Sequence, residues 1–267
     1  MKTDTNKMKP DVTAYLNRIG YDGPVKVDIC SLSQLQECHV RTVPYENFDI
    51  LDRKPLSLEI PDLFDKIITR YRGGYCFELN AMFGWLLREL GFTVTDYFAR
   101  FWRDEPITPP MRRHHVLQVE LEGVRYLCDV GVGGVVPRRP VKMIENLTQE
   151  QGGEYYRLEQ DAYFGWVLCE KKGEEWNWIY SFTEEPQLPQ DYLTTSFWCE
   201  NAPDSIFTKD VLVAIRTAEG RNTISGNEFR IFTTEGVQVF TPQTVEEYTQ
   251  ALHTHFGLSV GYVPPYL

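Results

Sequence analysis

A chain of 267 residues, 42% apolar and 24% charged, is long enough for a sizeable core and for one to three compact units. Its formal charge of −11 opposes polynucleotides and anionic membranes at long range, and no basic stripe offsets it, so nucleic-acid and membrane roles are excluded. The short pairs Arg112-Arg113 and Arg138-Arg139 are read as solvated loop arginines, with contact to the phosphates of a small anionic ligand as the alternative.

The polar opening MKTDTNKMKP is not a signal-peptide pattern, and no apolar run approaches the roughly eighteen residues of a membrane span, so the expected location is the cytoplasm. Cysteines stand at 30, 38, 76, 128, 169 and 199, with no C-x-x-C and no Cys/His spacing of the zinc kind. Neither a metal site nor a disulfide framework is expected, and a buried inert thiol is the default reading of each cysteine.

Along the chain, residues 1–92 read as helical. Asp11 caps a helix ending near Gly20, Ser31 caps a second, and Pro61 suits the first turn of a third that runs to about Arg70. A fourth spans Cys76 to Leu90. From Thr93 the pattern becomes short aromatic and β-branched segments at 93–102, 115–121, 124–130, 154–160, 163–170 and 175–182, which argues for an antiparallel sheet or barrel. A loop-rich stretch at 184–205 precedes strands near 210–217, 228–233 and 237–241, a helix near 243–255 and an extended, proline-containing tail.

The segment Arg72-Gly73-Gly74-Tyr75-Cys76-Phe77-Glu78 is the most informative. The glycines allow a sharp turn with positive φ, and Leu79, Met82, Phe83, Leu86, Leu87 and Leu90 give the following helix one apolar face that includes Cys76. A thiol at a helix start lies beside free N–H groups and the positive end of the dipole, which favours thiolate. A cysteine filling a gap at the top of a core helix fits the same pattern.

The stretch from His114 to Val130 alternates on either side of Glu122-Gly123, a two-residue turn of the primed kind, and reads as a hairpin. Its register pairs Leu121 with Val124, Glu120 with Arg125, Val119 with Tyr126, Gln118 with Leu127, Leu117 with Cys128 and Val116 with Asp129. One face then carries a Glu120–Arg125 ion pair, and the other is the buried side of the sheet. On the polar face His114 lies diagonal to Asp129, about 7–8 Å away at Cα, whereas His115 points to the opposite face. A carboxylate that fixes an imidazole is the orienting half of a nucleophilic triad, although a strand-end histidine also pairs an aspartate for structural reasons. His39, His253 and His255 are read as structural or exposed.

With Pro44-Tyr45-Glu46-Asn47, Arg72 to Glu78, and His114 fifteen residues before Asp129-Val130-Gly131-Val132-Gly133-Gly134, the sequence resembles the arylamine N-acetyltransferases. The likeness extends through Leu90-Gly91-Phe92, Ala99-Arg100 and Asn201 to Phe207. It implies an α+β fold with a cysteine-protease/transglutaminase-like core: a helical domain (1–92) carrying the nucleophile, an antiparallel β-barrel (93–200) carrying His and Asp, and an α/β lid (201–267). It also implies ping-pong transfer of acetyl from acetyl-CoA to small aromatic amines, arylhydroxylamines or hydrazines, by a monomer or homodimer.

Under the resemblance Cys76 forms the thioester, His114 is the base and Asp129 its orienter. Tyr45, Phe101, Val132, Gly133 and Phe207 fall where the family lines its acyl and acceptor pocket, and Arg72–Glu46 matches a structural ion pair. Tyr45 replaces the usual phenylalanine, Val132 the usual aromatic residue, and Arg113 stands where threonine often precedes the histidine. The competing readings are a cysteine hydrolase or an amide synthase on the same three residues, and a ligand-binding member of the fold without catalysis.

Overall fold

A computed structural model describes residues 9–103 and 108–267; the polar opening at residues 1–8 lies outside them. Helix α1 (Val12–Arg18) starts at Asp11, whose carboxylate accepts the Ala14 N–H at 2.7 Å. Helix α2 (Ile29–Thr42) is capped by Asp28 rather than Ser31. The Asp28 carboxylate takes the Ser31 N–H at 2.8 Å, and the Ser31 hydroxyl turns back to the Lys26 N–H. Strand β1 (Tyr45–Glu46) and the single turn α3 (Phe48–Leu51) follow, then α4 (Ile60–Phe64), which widens into a π-helical turn over Asp65–Thr69. Helix α5 (Cys76–Glu89) packs its apolar face into the main core through Leu79, Met82, Phe83, Leu86 and Leu87, all fully buried.

The next eight strands are β2 (Thr93–Phe101), β3 (Arg112–Leu121), β4 (Val124–Cys128), β5 (Val141–Lys142), β6 (Gln149–Gln151), β7 (Glu154–Asp161), β8 (Gly165–Lys172) and β9 (Glu175–Phe182). They form one antiparallel sheet in the order β5-β4-β3-β2-β9-β8-β7-β6. A bridge from Glu145 to Leu158 brings its ends together, so the sheet is a nearly closed barrel. The β3–β4 hairpin has the expected register at the five pairs that β4 reaches, with Val116 and Asp129 falling beyond the strand's end at Cys128, and Glu122 and Gly123 both adopt positive φ (50° and 76°), the type I′ requirement.

Two expectations about that hairpin fail. Arg125 pairs with Glu184, not Glu120, because β2 and its neighbours bring the 184 segment over the strand while Glu120 stays exposed. Strand β3 is also buried on both faces from Arg113 to Val119, since α5 covers one side and the barrel interior the other.

Helix α6 (Tyr192–Asn201) occupies the stretch expected to be loop. It buries only Tyr192, Ser196 and Cys199, while Leu193 and Phe197 face solvent, so the apolar residues of its sequence blur its helical stripe. Strands β10 (Leu212–Arg216), β11 (Arg221–Ser225), β12 (Glu228–Thr233) and β13 (Gly236–Phe240) join β1 in a second antiparallel sheet, order β1-β10-β11-β12-β13. Strand β11 escapes sequence reading because its residues are mostly polar, and pairing on both sides holds it. Helix α7 (Val245–Phe256), capped by Thr244 and ended by Gly257 at φ 65°, packs on this sheet. The tail after it carries neither helix nor strand, buries Leu258 and sets Tyr262 5.7 Å from the Phe48 ring. No helix among the described residues is long and apolar enough to cross a membrane.

His39 of α2 is fully buried. The Tyr15 hydroxyl meets its Nδ1 at 2.8 Å, and its ring packs edge-on to Phe83. Burial, with Arg18 nearby, lowers its pKa to about 3. An imidazole that charges more readily when unfolded gives the unfolded chain the extra proton between pH 6.5 and about 3, so stability falls as pH falls through that window. Acidification from pH 6.5 to 4.5 therefore costs about 2 kcal/mol through this residue. Urea unfolding midpoints over that range should decline less steeply in His39→Gln than in the wild type.

Candidate active site

The loop before α5 is shaped by close approach. A Cβ on Gly73 would stand 1.9 Å from the Pro44 carbonyl oxygen, and one on Gly74 2.8 Å from Glu78 Oε2. Neither glycine has the positive φ that the sequence suggested; that conformation belongs to Tyr71, at 54°. Gly73 is required because two backbones touch and Gly74 because the Glu78 side chain folds back over it, and this close approach lets the Glu46 N–H donate to the Gly74 carbonyl at 2.9 Å.

Beneath this loop lies a buried set of charges. Glu46, fully buried, receives Arg72 Nε and Nη2 on Oε1 at 3.0 and 2.7 Å and the Phe48 N–H on Oε2 at 2.8 Å. The expected Glu46–Arg72 pair is present, and it continues. Asp49 takes Arg72 at 3.1 Å and Lys66 at 2.8 Å, and Lys66 reaches Glu78 at 2.8 Å. Glu78 Oε2 accepts the Tyr75 N–H at 3.1 Å, which fixes the residue before Cys76. Three carboxylates share two cations: burial holds the Glu78 carboxyl above its ordinary range despite Lys66, whereas Lys66 and Arg72 outweigh burial at Asp49 and hold it below. Asn47 completes the run, its amide donating to the Phe207 and Asp210 carbonyls and accepting the Leu212 N–H.

Cys76 begins α5, and His114 and Asp129 are brought to it by the β3–β4 hairpin. His114 Nε2 and Asp129 Oδ2 are 2.8 Å apart, so an ionised carboxylate receives the Nε2 proton and Nδ1 is left as the basic nitrogen. Asp129 Oδ1 accepts the Gly131 N–H at 2.7 Å and the Asn80 amide at 2.9 Å. Asn80 also donates to the His115 carbonyl and accepts the Val130 N–H. Sequence reading missed Asn80, although its place one turn after Cys76 on the same helix face was the available signal.

A cavity of about 70 Å³ opens at the sulfur. Of the expected lining residues, Tyr45, Phe101, Val132 and Phe207 reach it. Gly133 does not, but sits against the Tyr45 ring, and Gly131 lines the cavity instead, pressed against the Cys76 backbone. Arg113 and Ile206 complete the wall.

Arg113 owes its place to a β-bulge. Ala99 pairs with His114 and Arg100 with Arg112, so Arg113 is the unpaired extra residue, and its side chain shares the cavity with His114 despite the alternation of a regular strand. Its carbonyl receives the Cys76 thiol at 3.6 Å. The helix start does not act alone on this sulfur. Burial, followed by Cys199 and Asp129, pushes the Cys76 thiol well above its ordinary value, and the His115 N–H and Arg113 only partly oppose it.

His115 faces away, as expected, but it too has a carboxylate. Its Nε2 lies 2.8 Å from Asp96 Oδ1, and its ring stacks on Tyr192 at 4.2 Å. An aspartate partner therefore does not by itself distinguish the two histidines; the side of the strand on which Cys76 lies does.

A family model described as N-acetyltransferase matches residues 28–263. A curated arylamine N-acetyltransferase from Mycobacterium bovis is 34% identical over 259 residues, covering 95% of this chain and 91% of the relative. The chain belongs to the arylamine N-acetyltransferase family. Among solved structures, the arylamine N-acetyltransferase of M. tuberculosis superposes with a TM-score of 0.87 at 34% identity, over 92% of this chain and 93% of that one. The Mycobacterium marinum arylamine N-acetyltransferase, solved in complex with CoA, gives 0.87 at 31% identity over 92% of each chain. Within the family, the three departures noted in this sequence, Tyr45, Val132 and Arg113, converge on the same cavity.

The buried charges make one strong prediction. Lys66→Met leaves Asp49 and Glu78 without their shared cation and should cost about 3–5 kcal/mol at neutral pH. Protonation then relieves the excess negative charge, so the gap to the wild type should narrow as pH falls toward 5. Urea unfolding of both proteins at pH 7.5 and pH 5 checks the size and the sign.

Proposed function

We propose that this protein transfers acetyl from acetyl-CoA to arylamines, arylhydroxylamines or hydrazines through a thioester on Cys76, with His114 as base and Asp129 as its orienter. The observation that carries the reading is the single cavity onto which both Cys76 and His114 open, with His114 held on its far nitrogen by Asp129 at 2.8 Å. The three-part division at residues 92 and 200, a protease-like core and an α/β lid over 201–267 are our reading of the layout. It is supported by the change from helices to barrel at Thr93 and by the run of strands β10–β13 that starts at Leu212, to which β1 is added from the first third of the chain. A cytoplasmic location fits six cysteines that are all unpaired, and a monomer or homodimer is our reading of the assembly.

A thiol raised by burial needs its proton removed as it reacts. His114 Nδ1 takes that proton while sulfur attacks the acetyl carbonyl, and Asp129 stabilises the imidazolium that forms. First-turn N–H groups of α5 stabilise the oxyanion. The C–S bond to CoA breaks, and the imidazolium returns its proton to the departing CoA sulfur. The amine then attacks the Cys76 thioester, His114 accepts the amine proton, and that proton restores the thiol as the acetylated amine leaves.

Mass spectrometry after a brief acetyl-CoA pulse without amine should find one acetyl group, on Cys76; acetylation spread over lysines would sink the covalent mechanism. His114→Gln and Asp129→Asn should slow that pulse by about three orders of magnitude or more, with the fold retained. His115→Gln should keep substantial activity and unfold at lower temperature, since it loses the Asp96 partnership. A wild-type rate in His114→Gln beside a collapsed one in His115→Gln would reverse the choice of base.

A further inference from the structure

Strand β2 turns Phe101 to the Cys76 cavity and, by alternation, Arg100 to the opposite face of the barrel sheet. There Arg100 stands directly across from Arg112 of β3 on one side and from Ser181 of β9 on the other. Like charges opposed on neighbouring strands destabilise a sheet, and this chain, at −11, carries an excess of acids that could have relieved the pair. Arg100 nevertheless meets no carboxylate among the described residues. Its hydrogen bond runs from Nη1 to the Pro110 carbonyl at 2.6 Å, which leaves Nε and Nη2 as further donors. Burial, followed by Arg112, lowers its pKa, as befits a cation without a counter-charge. Arg112 does pair with Glu185 at 3.2 Å, but the two side chains are 36% and 68% exposed, where such a pair contributes little and yields to a stronger anion.

These groups open on a cavity of about 260 Å³ that shares none of its described lining residues with the one at Cys76. Its floor is made of donors. Ser181 Oγ accepts the Trp102 indole N–H at 2.8 Å and Thr183 Oγ1 accepts Arg112 Nη2 at 3.2 Å, so each hydroxyl keeps its own proton to give. No carboxylate is among the described lining residues. Above the floor, the turn between β7 and β8 supplies Tyr163 and Phe164, whose N–H groups both donate to Asp161 Oδ1 at 2.8 Å. The Tyr163 ring lies edge-on to Phe164 with centroids 4.9 Å apart, and it is 79% exposed, so a positioned aromatic surface faces outward beside the two guanidinium groups.

Two cations and two hydroxyl donors converging on so small a volume match a tetrahedral phosphate, whose terminal oxygens are strong acceptors. A held, exposed ring next to them offers a flat group a face to stack on. We propose that this pocket is a second ligand site, separate from the transfer cavity, for a phosphate monoester joined to a planar ring system, as in a nucleoside monophosphate. No bond is made or broken there; the site binds.

Isothermal titration of the whole protein, saturated with CoA so that the transfer cavity is filled, tests this with AMP, ribose 5-phosphate and adenosine. AMP should bind once per chain, at least about tenfold more tightly than adenosine, with ribose 5-phosphate weaker than AMP. Arg112→Gln changes a half-exposed side chain and should weaken AMP and ribose 5-phosphate at least about tenfold while leaving adenosine within about twofold. Tyr163→Ala should weaken AMP about fivefold or more and leave ribose 5-phosphate within about twofold. The proposal fails if the wild type binds AMP no more tightly than adenosine, or if Arg112→Gln or Tyr163→Ala leaves its AMP affinity within about twofold. It fails equally if AMP binds only in the absence of CoA, since the ligand would then belong to the transfer cavity.

Discussion

Contact between two stretches of backbone organises this molecule: Gly73 lies against the Pro44 carbonyl so closely that no side chain can intervene. Everything around that contact serves to hold it. Tyr45 bridges Gly74 on one side and pairs with Ala214 on the other, so the residues just before α3 join the loop that precedes Cys76 to the C-terminal sheet. Glu46 and Arg72 clamp the two stretches by charge, and Asp49, Lys66 and Glu78 carry the clamp to the residue before Cys76. Buried charges of this kind contribute little beyond well-packed apolar groups when intact and are costly to break one at a time. What they supply here is position, with the start of α5 determined by both backbone and side-chain contacts.

The second half of the candidate site comes from a strand that is buried on both sides. Helix α5 presents Cys76 and, one turn later, Asn80; the hairpin presents His114 and delivers Asp129 just beyond β4. Asn80 ties these parts together, since its amide touches Asp129, the His115 carbonyl and the Val130 N–H at once. The helix and the hairpin are therefore referenced to each other by hydrogen bonds as well as by packing, which suits a reaction sensitive to displacements below an ångström. The same burial that secures this geometry raises the Cys76 thiol, so positional precision and an activated sulfur are in opposition, and the proposed base is the group that resolves it.

Much of this was legible in the sequence where local rules act alone. The Glu122-Gly123 turn fixes the hairpin register through its backbone dihedrals, and the register places His114 near Asp129 without reference to anything distant. The start of α5 was legible for a similar reason. What escaped is set by partners far along the chain. The glycines at 73 and 74 look like turn residues until Pro44 is known to lie against them, and Arg125 looks like a partner for Glu120 until Glu184 arrives. Asp96 gave His115 a carboxylate from a strand whose pairing with β3 no nearby turn specifies. The bulge at Arg113 likewise shows only in the pairing with β2, and α6 hides because its buried stripe is one residue wide.

The twin arrangement on β3 has a consequence for fidelity. Two adjacent histidines, on opposite faces, each hold an aspartate at 2.8 Å, so the strand is nearly symmetric about its own plane at that point. A slip of one residue would exchange the two rings and still offer each an imidazole-sized site with an acid nearby. Such a slip would, however, also break the pairing of β3 with β2 and turn every buried side chain of the strand to its other face. The two look-alike histidine sites do not select the register by themselves. That selection comes from the rest of the strand: its pairing with β2 and the handedness of a two-residue turn at the far end of the hairpin together set which of two look-alike histidines lies on the Cys76 side.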